Sequence, residues 1–303
     1  MLRATLKDGS LRHTYRHLRR AALCTISSSS TPAHPPHHHQ PAHNVTQEAS
    51  GHRKPLISAS EISKFSAMAE TWWDSKGPFK PLHMMNPTRI SFIRSALCRH
   101  FKKDSSCAKP FEGLKFLDVG CGGGLLSEPL ARLGAEVVGI DAVEKNIKIA
   151  SAHALKDPVT ASIEYICCTS DNLSSESYGQ FDAVISLEVI EHVTEPKAFL
   201  DSLSALTKTD GAITLSTINR SLSAYILAIV AAEHLLHWVP KGTHEWSKFI
   251  TPDELALLME QAGLKLQEMA GMVFNPISGK WSLSTNTTVN YIAYGTKPVV
   301  TTA

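Results

Sequence analysis

The sequence predicts an α/β fold: a mostly parallel sheet with helices on both faces. Three observations predict it. Apolar runs of strand length recur at 115–119, 136–140, 163–167, 181–187 and 212–217, with helix-length segments between them. Strands alternating with helices in this way form a parallel sheet joined by crossovers. A glycine-rich turn, Gly120-Cys121-Gly122-Gly123-Gly124, follows the first run at once, and an acid, Asp141, closes the second.

The chain has 303 residues, 43% of them hydrophobic and 19% charged, which is enough apolar material for a full core. Its net charge of +2 hides an asymmetry. Eight of the 30 Lys and Arg but only two of the 28 Asp and Glu fall within residues 1–60, leaving 22 basic against 26 acidic residues beyond. A slightly acidic body lacks the basic face that a nucleic-acid partner requires, so none is expected. Residues 1 to about 30 are rich in Arg and Ser and nearly free of acids, with leucines at 2, 6, 11, 18 and 23. That is the composition of a mitochondrial transit peptide, without the apolar stretch of a secretory signal. Residues 31–55, mostly Pro, His, Ser, Ala and Gln, read as linker, and the rest, 56–303, as a single domain. None of the six cysteines (Cys24, Cys98, Cys107, Cys121, Cys167, Cys168) forms a C-x-x-C pair, so they read as free thiols.

Within that domain the first elements are helical. Ser60 opens one segment and Asn86-Pro87 another, with Pro87 at a first-turn position. Trp72-Trp73-Asp74 to His83 connects them. Two adjacent tryptophans cannot both face one core, so this connection is expected to cover the site. After the five strand runs, Thr251-Pro252-Asp253-Glu254 opens a helix over 252–262 that Gly263 closes. Strands at about 265–272 and 288–295 complete the sheet, with 280–284 as a short extra strand.

The turn itself indicates a nucleoside cofactor. Gly120, Gly122 and Gly124 sit where a Cβ would hold a ligand off the backbone or strain the turn. Asp141 ends the next strand, where an acid accepts hydrogen bonds from a ribose diol. The dinucleotide fingerprint needs a further glycine at position 125, which is leucine; the pattern present is D-x-G-x-G-x-G, led by Asp118. This form resembles the S-adenosylmethionine-dependent methyltransferases. Asp171, just past the third strand, is placed for an adenine amino group or for a turn cap.

After the fourth strand stands Leu187-Glu188-Val189-Ile190-Glu191-His192, at a strand end that faces the ligand crevice. On a helix, Glu188, Glu191 and His192 would share a face by i, i+3, i+4 spacing. Two carboxylates and an imidazole suit Mg²⁺ or metal-free acid–base work, and spacing alone leaves both open. Residues 221–239 carry Leu222, Tyr225, Ile226, Leu227, Ile229, Val230, Leu235, Leu236 and Trp238, interrupted by Glu233 and His234. They read as a helix lying on a membrane or lining a greasy channel. Lys241 and His244 follow on a loop as candidate bases.

Larger blocks extend the resemblance. Trp72-Trp73-Asp74, Phe79-Lys80-Pro81-Leu82-His83, Asn86-Pro87-x-Arg89, Leu117 to Gly124 and Glu188-x-x-Glu191-His192-Val193 are similar to the ubiquinone-biosynthesis O-methyltransferases. So are Pro240-Lys241-Gly242-Thr243-His244, Asn275-Pro276 and Val289-Asn290-Tyr291, and the likeness spans about 60–297. The resemblance implies a Rossmann-like class I methyltransferase fold with a mostly parallel seven-stranded sheet. It implies S-adenosyl-L-methionine as methyl donor, Mg²⁺, and a polyprenylated catechol as acceptor. Arg89, Gly120, Asp141 and Leu187 match the family's cofactor contacts, while Glu188, Glu191 and His192 match its metal ligands. His192, His244 or a hydroxide on the metal would take the phenol proton. The parts would be a helical cover at 56–110, a cofactor core at 114–220, a membrane- or substrate-facing insertion at 221–245 and the last strands at 246–298. The implied setting is the matrix side of the mitochondrial inner membrane, in peripheral contact and within a multi-subunit complex. A metal-free methyltransferase of another small molecule and a non-catalytic binding scaffold are the alternatives.

Overall fold

The computed structural model describes residues 55–173, 175–226 and 245–299. In chain order the elements are α1 (Ala59–Met68), α2 (Lys80–His100), β1 (Lys115–Val119), α3 (Ser127–Arg132), β2 (Glu136–Asp141), α4 (Glu144–Ala154) and β3 (Glu164–Cys167). There follow β4 (Phe181–Leu187), α5 (Pro196–Leu206), β5 (Thr207–Ile218), α6 (Leu222–Ala224), α7 (Pro252–Gln261), β6 (Lys265–Asn275), β7 (Lys280–Ser284) and β8 (Asn290–Thr296).

The strands form one sheet in the order β3-β2-β1-β4-β5-β8-β6-β7. The first five are mutually parallel, while β8 runs antiparallel to β5 and to β6, and β7 folds back on β6 as a hairpin. The eighth strand is the short extra one at 280–284, so the seven-stranded expectation gains a hairpin partner at its edge. Alternation along each strand divides the core between two faces. Leu117, Val184, Leu215 and Tyr291 pack with α5 and α7 on one side. Phe116, Ile185, Ala212 and Ile292 pack with α2 and α3 on the other. The order reverses at β1, which lies between β2 and β4. The C-terminal ends of β1 and β4 therefore open into a crevice, the usual ligand position of such sheets.

Local signals hold where they are contiguous. Thr251 Oγ1 accepts the Glu254 N–H at 3.2 Å and Glu254 Oε2 accepts the Thr251 N–H at 2.9 Å, a reciprocal cap on α7. The second helix starts earlier than expected: α2 begins at Lys80, Pro81 holds the first-turn position, and Pro87 lies inside the helix. There it lacks the N–H that would reach the carbonyl one turn back, in a helix whose buried face (Phe92, Ile93, Ala96, Leu97) packs on the sheet. Tertiary burial outweighs the lost bond. Cys98, Cys107, Cys121, Cys167 and Cys168 are free thiols, as expected. No helix among the described residues is long and apolar enough to cross a membrane.

Candidate active site

The crevice deepens into a cavity of about 800 Å³. Gly120, Asp141, Asn146 and Thr169 line one end; Met272, Phe274, Trp281 and Asn290 line the other, with Leu187, Glu188 and His192 between them.

The cofactor end is built from main chain and strand ends. Gly120 has φ +75°, and a Cβ there would stand 2.4 Å from the Val189 side chain. Gly122 has φ +53°, and a Cβ there would meet the Trp72 ring at 2.3 Å. The second glycine is thus needed for an indole as well as for a ligand. Trp72 stacks on Phe79 at 3.7 Å and donates its Nε1–H to Asn146 Oδ1 at 2.8 Å. Trp73 lies flat on His153 at 3.4 Å and donates to the Gly123 carbonyl at 2.9 Å. The two tryptophans do face one structure: they grip the glycine turn from neighbouring positions, as a cover over the site.

Asp141 accepts the Gly122 N–H at 3.0 Å on Oδ2. Its Oδ1 accepts the Val143 N–H at 2.8 Å and the Asn146 side-chain N–H at 3.1 Å. Two carboxylate oxygens can accept about four hydrogen bonds, so capacity for a hydroxyl remains. Burial raises its pKa, against the pull of these donors. Deeper still, burial lifts Asp118 to about 7, and Asp141's charge adds to the rise while the Ser127 hydroxyl, 2.5 Å away, opposes it. Asp171 Oδ1 is buried with no hydrogen-bond partner, one residue past cavity-lining Ser170.

Between the two ends the chain departs from the expected helix. Only Ile190–His192 forms a turn, of the 3-10 kind, and Glu188 adopts φ +56°, a left-handed conformation costly for a side chain. Its N–H is held by the Ser216 carbonyl at 3.0 Å and its Oε1 accepts the Ser216 hydroxyl at 2.6 Å. Arg89 Nη2 lies 3.0 Å from the same Oε1, but out of line for a hydrogen bond. Arg89 is 5% exposed, and its Nε and Nη2 have no hydrogen-bond partner. Glu191 Oε2 accepts the Thr217 hydroxyl at 2.9 Å, and burial, with Glu188's charge added, raises its pKa to about 8. His192 Nδ1 stands 2.9 Å from Glu61 Oε2, and Phe65 meets its ring edge-on at 5.0 Å. Burial works to raise Glu61, but the hydrogen bonds from His192 and Lys64 prevail and hold it at about 2.

The expected metal set is therefore not assembled. Among the described residues no three His, Cys, Asp or Glu side chains come together as a metal-binding group. Glu188 turns to Ser216 and Arg89, Glu191 to Thr217 and His192 to Glu61. The i, i+3, i+4 argument fails because the chain is not α-helical here.

A methyltransferase-domain family model matches residues 89–269. The mitochondrial ubiquinone biosynthesis O-methyltransferase of Arabidopsis thaliana is 62% identical over 241 residues, covering 80% of this chain and 74% of that protein. The chain belongs to the ubiquinone biosynthesis O-methyltransferase family. The ubiquinone biosynthesis O-methyltransferase of Roseobacter denitrificans is 49% identical over 243 residues, 80% of this chain and 97% of that protein. Among solved structures, magnesium protoporphyrin IX methyltransferase from Synechocystis PCC 6803, with bound SAH, matches the fold with a TM-score of 0.55 at 20% identity. That match covers 78% of this chain and 94% of the other. The fold is the Rossmann-like class I methyltransferase fold, and the chain is an S-adenosylmethionine-dependent O-methyltransferase of ubiquinone biosynthesis.

The site suits this O-methyltransferase's donor. A turn with no room for Cβ atoms, an acid with spare acceptor capacity and buried guanidinium nitrogens without partners match a cradle, a ribose diol and a carboxylate. Sequence reasoning missed Glu61, Asn146, Ser216 and Thr217. Only Asn146 carried a local signal, one turn into α4 and five residues past Asp141. His244, Lys241 and most of 221–239 lie outside the described residues. At the start of that segment Leu222 is 73% exposed, with Tyr225 and Ile226 half exposed.

Proposed function

We propose that this O-methyltransferase acts on polyprenylated catechols, with the donor at the β1–β2 end of the cavity and the acceptor ring at the β6–β8 end. The observation that supports this reading is the cavity itself: one space is lined by Gly120 and Asp141 and also by Met272, Phe274 and Trp281, and most of its lining is apolar. A prenyl tail gains free energy by leaving water for such a wall, at about 25 cal/mol per Å².

In this reading Asp141 holds the ribose hydroxyls, Gly120 lets the backbone approach, Arg89 meets the methionine carboxylate and Leu187 walls the donor. S-adenosylmethionine supplies an electrophilic methyl group when bound. What remains for the chain is to hold the two reactants in line, exclude water and take a proton. His192 is the candidate base, and an ionised Glu61 at 2.9 Å would stabilise the imidazolium that results. His244 is the alternative. Mg²⁺ has no assembled set of ligands, because Glu188 is bonded by Ser216, Glu191 by Thr217 and His192 is engaged by Glu61; no step is routed through it. The name of the Arabidopsis relative and the Arg-rich leader support a mitochondrial setting. Exposed Leu222, Tyr225 and Ile226 support peripheral membrane contact, and the same reading places the protein on the matrix side of the inner membrane within a multi-subunit complex.

The test is methyl transfer from labelled S-adenosylmethionine to a prenylated dihydroxybenzoate by the full chain, before and after exhaustive chelation. Product in both conditions is expected. Cofactor binding without transfer in either would overturn the catechol reading, and product only with Mg²⁺ restored would show that the side chains regroup around a cation.

A further inference from the structure

Val289-Asn290-Tyr291 is a block that the chemistry so far leaves unused. Tyr291 is wholly buried and donates its hydroxyl to the Ile250 carbonyl at 2.8 Å, a packing role. Asn290 is different. It opens β8, paired across the sheet with Ile218 of β5 and Met272 of β6, and it is 8% exposed. Its side chain lines the cavity among Met272, Phe274, Trp281 and Val289. Yet among the described residues the amide has no hydrogen-bond partner, unlike the other buried polar groups around the strand ends, Asp141, Glu191 and Ser216. The other polar residues on this wall, Asn286 and Thr288, are exposed and bonded to each other at 2.6 Å.

An amide that faces the cavity with no side-chain or backbone partner is free to bond a polar group of whatever fills it. Alternation along β5 sets Ile218 on the face of Ser216, whose hydroxyl holds Glu188, so its cross-strand partner Asn290 lies on that face too. Two residues of strand separate them, about 7 Å. That spacing leaves about the width of an aromatic ring between the Glu188–Ser216 pair and the amide. A carboxamide both donates and accepts, as does a phenolic hydroxyl, and it carries no charge to favour an anion.

We propose that Asn290 is an acceptor-specificity residue: its amide hydrogen-bonds the catechol hydroxyl that is not being methylated. The inference rests on the catechol reading and adds how this protein tells a vicinal diol from a single phenol. A site built to pair a hydroxyl rejects an analogue that lacks it, because its own polar group is then left unpaired.

The test compares the full-length wild type with Asn290→Leu on two prenylated acceptors, one with both hydroxyls and one with the spectator hydroxyl replaced by hydrogen. Calorimetric binding of S-adenosylhomocysteine serves as the structural control. The wild type should favour the diol by roughly 10- to 100-fold in kcat/KM. Asn290→Leu should lose that preference, falling on the diol while staying within about twofold on the single phenol and in cofactor affinity. Equal losses on both acceptors, or none on either, would overturn the proposal. A wild type that methylates neither acceptor sinks the catechol reading, and this inference with it; a wild type that methylates the diol beside an indifferent variant sinks this inference alone. Should the leucine variant not fold, Asn290→Ala, which removes the carboxamide without adding bulk or charge, gives the same readout.

Discussion

The two ends of the cavity are built on different principles. At the Asp141 end a chain of polar groups is tied together, Trp72 to Asn146, Asn146 to Asp141, and Asp141 to the Gly122 N–H, while Arg89 and Asp171 keep buried atoms without partners. At the other end, where the acceptor is proposed to lie, the wall is a hairpin of Met272, Phe274 and Trp281 beside the Asn290 amide. The donor is the same molecule in every turnover and contains fixed polar atoms, so a preorganised frame favours it. On the proposed reading, an acceptor carrying a long apolar tail needs area more than direction.

The largest test of this contrast is Arg89→Met. It leaves the Glu188 carboxylate nearly buried with only Ser216 beside it, and breaking such a pair should destabilise the fold by about 3–5 kcal/mol. Denaturant unfolding measures it; a change below about 1 kcal/mol would mean that the frame at the donor end is not held by this pair.

Asp118→Asn probes the same frame with pH. In the unfolded chain Asp118 titrates near the ordinary 3.8, whereas in the fold it is raised to about 7. Below pH 4 both states hold the proton and the group is neutral in the balance. Between about 4 and 7 the folded state keeps a proton that the unfolded state releases, so wild-type stability falls as pH rises, and above 7 the full penalty is present. Asparagine can still accept the Ser127 hydroxyl but never ionises. The variant should gain on the wild type as pH climbs from 5 to 8, by about 2–4 kcal/mol in all. A gap that does not change with pH would show that Asp118 is ionised throughout.

The smallest effect is expected for Trp72→Phe, which keeps a ring over Gly123 and removes the bond to Asn146 with the outer indole atoms over Gly122. The loss of about 1 kcal/mol should appear as a roughly fivefold weaker cofactor affinity, with acceptor KM unchanged. An equal change in acceptor KM would mean that the two ends are not separable.

Much of this was legible in order along the chain. The alternation of strands and helices, the glycine turn, the acid ending β2 and the Thr251 cap are contiguous patterns whose physics acts within a few residues. Even the extra strand at 280–284 could be read. The start of α2 was misplaced because Pro81 and Pro87 both suit a first turn, and only packing on the sheet decides between them. At the site, Gly120, Asp141 and Leu187 line the cavity, since strand ends in a parallel sheet face the crevice.

The amino-acid sequence by itself determined the sheet, the cradle and the family, because each is encoded in short segments whose residues act on their own backbone. Only the tertiary structure decided what the ionisable groups do. Whether Glu188, Glu191 and His192 form one cluster depends on Arg89, on Ser216 and Thr217 of a neighbouring strand, and on Glu61, 131 residues away from His192. Those partners meet through strand order and helix packing, and in a low-dielectric interior the nearest opposite charge or hydroxyl claims a carboxylate before sequence spacing can.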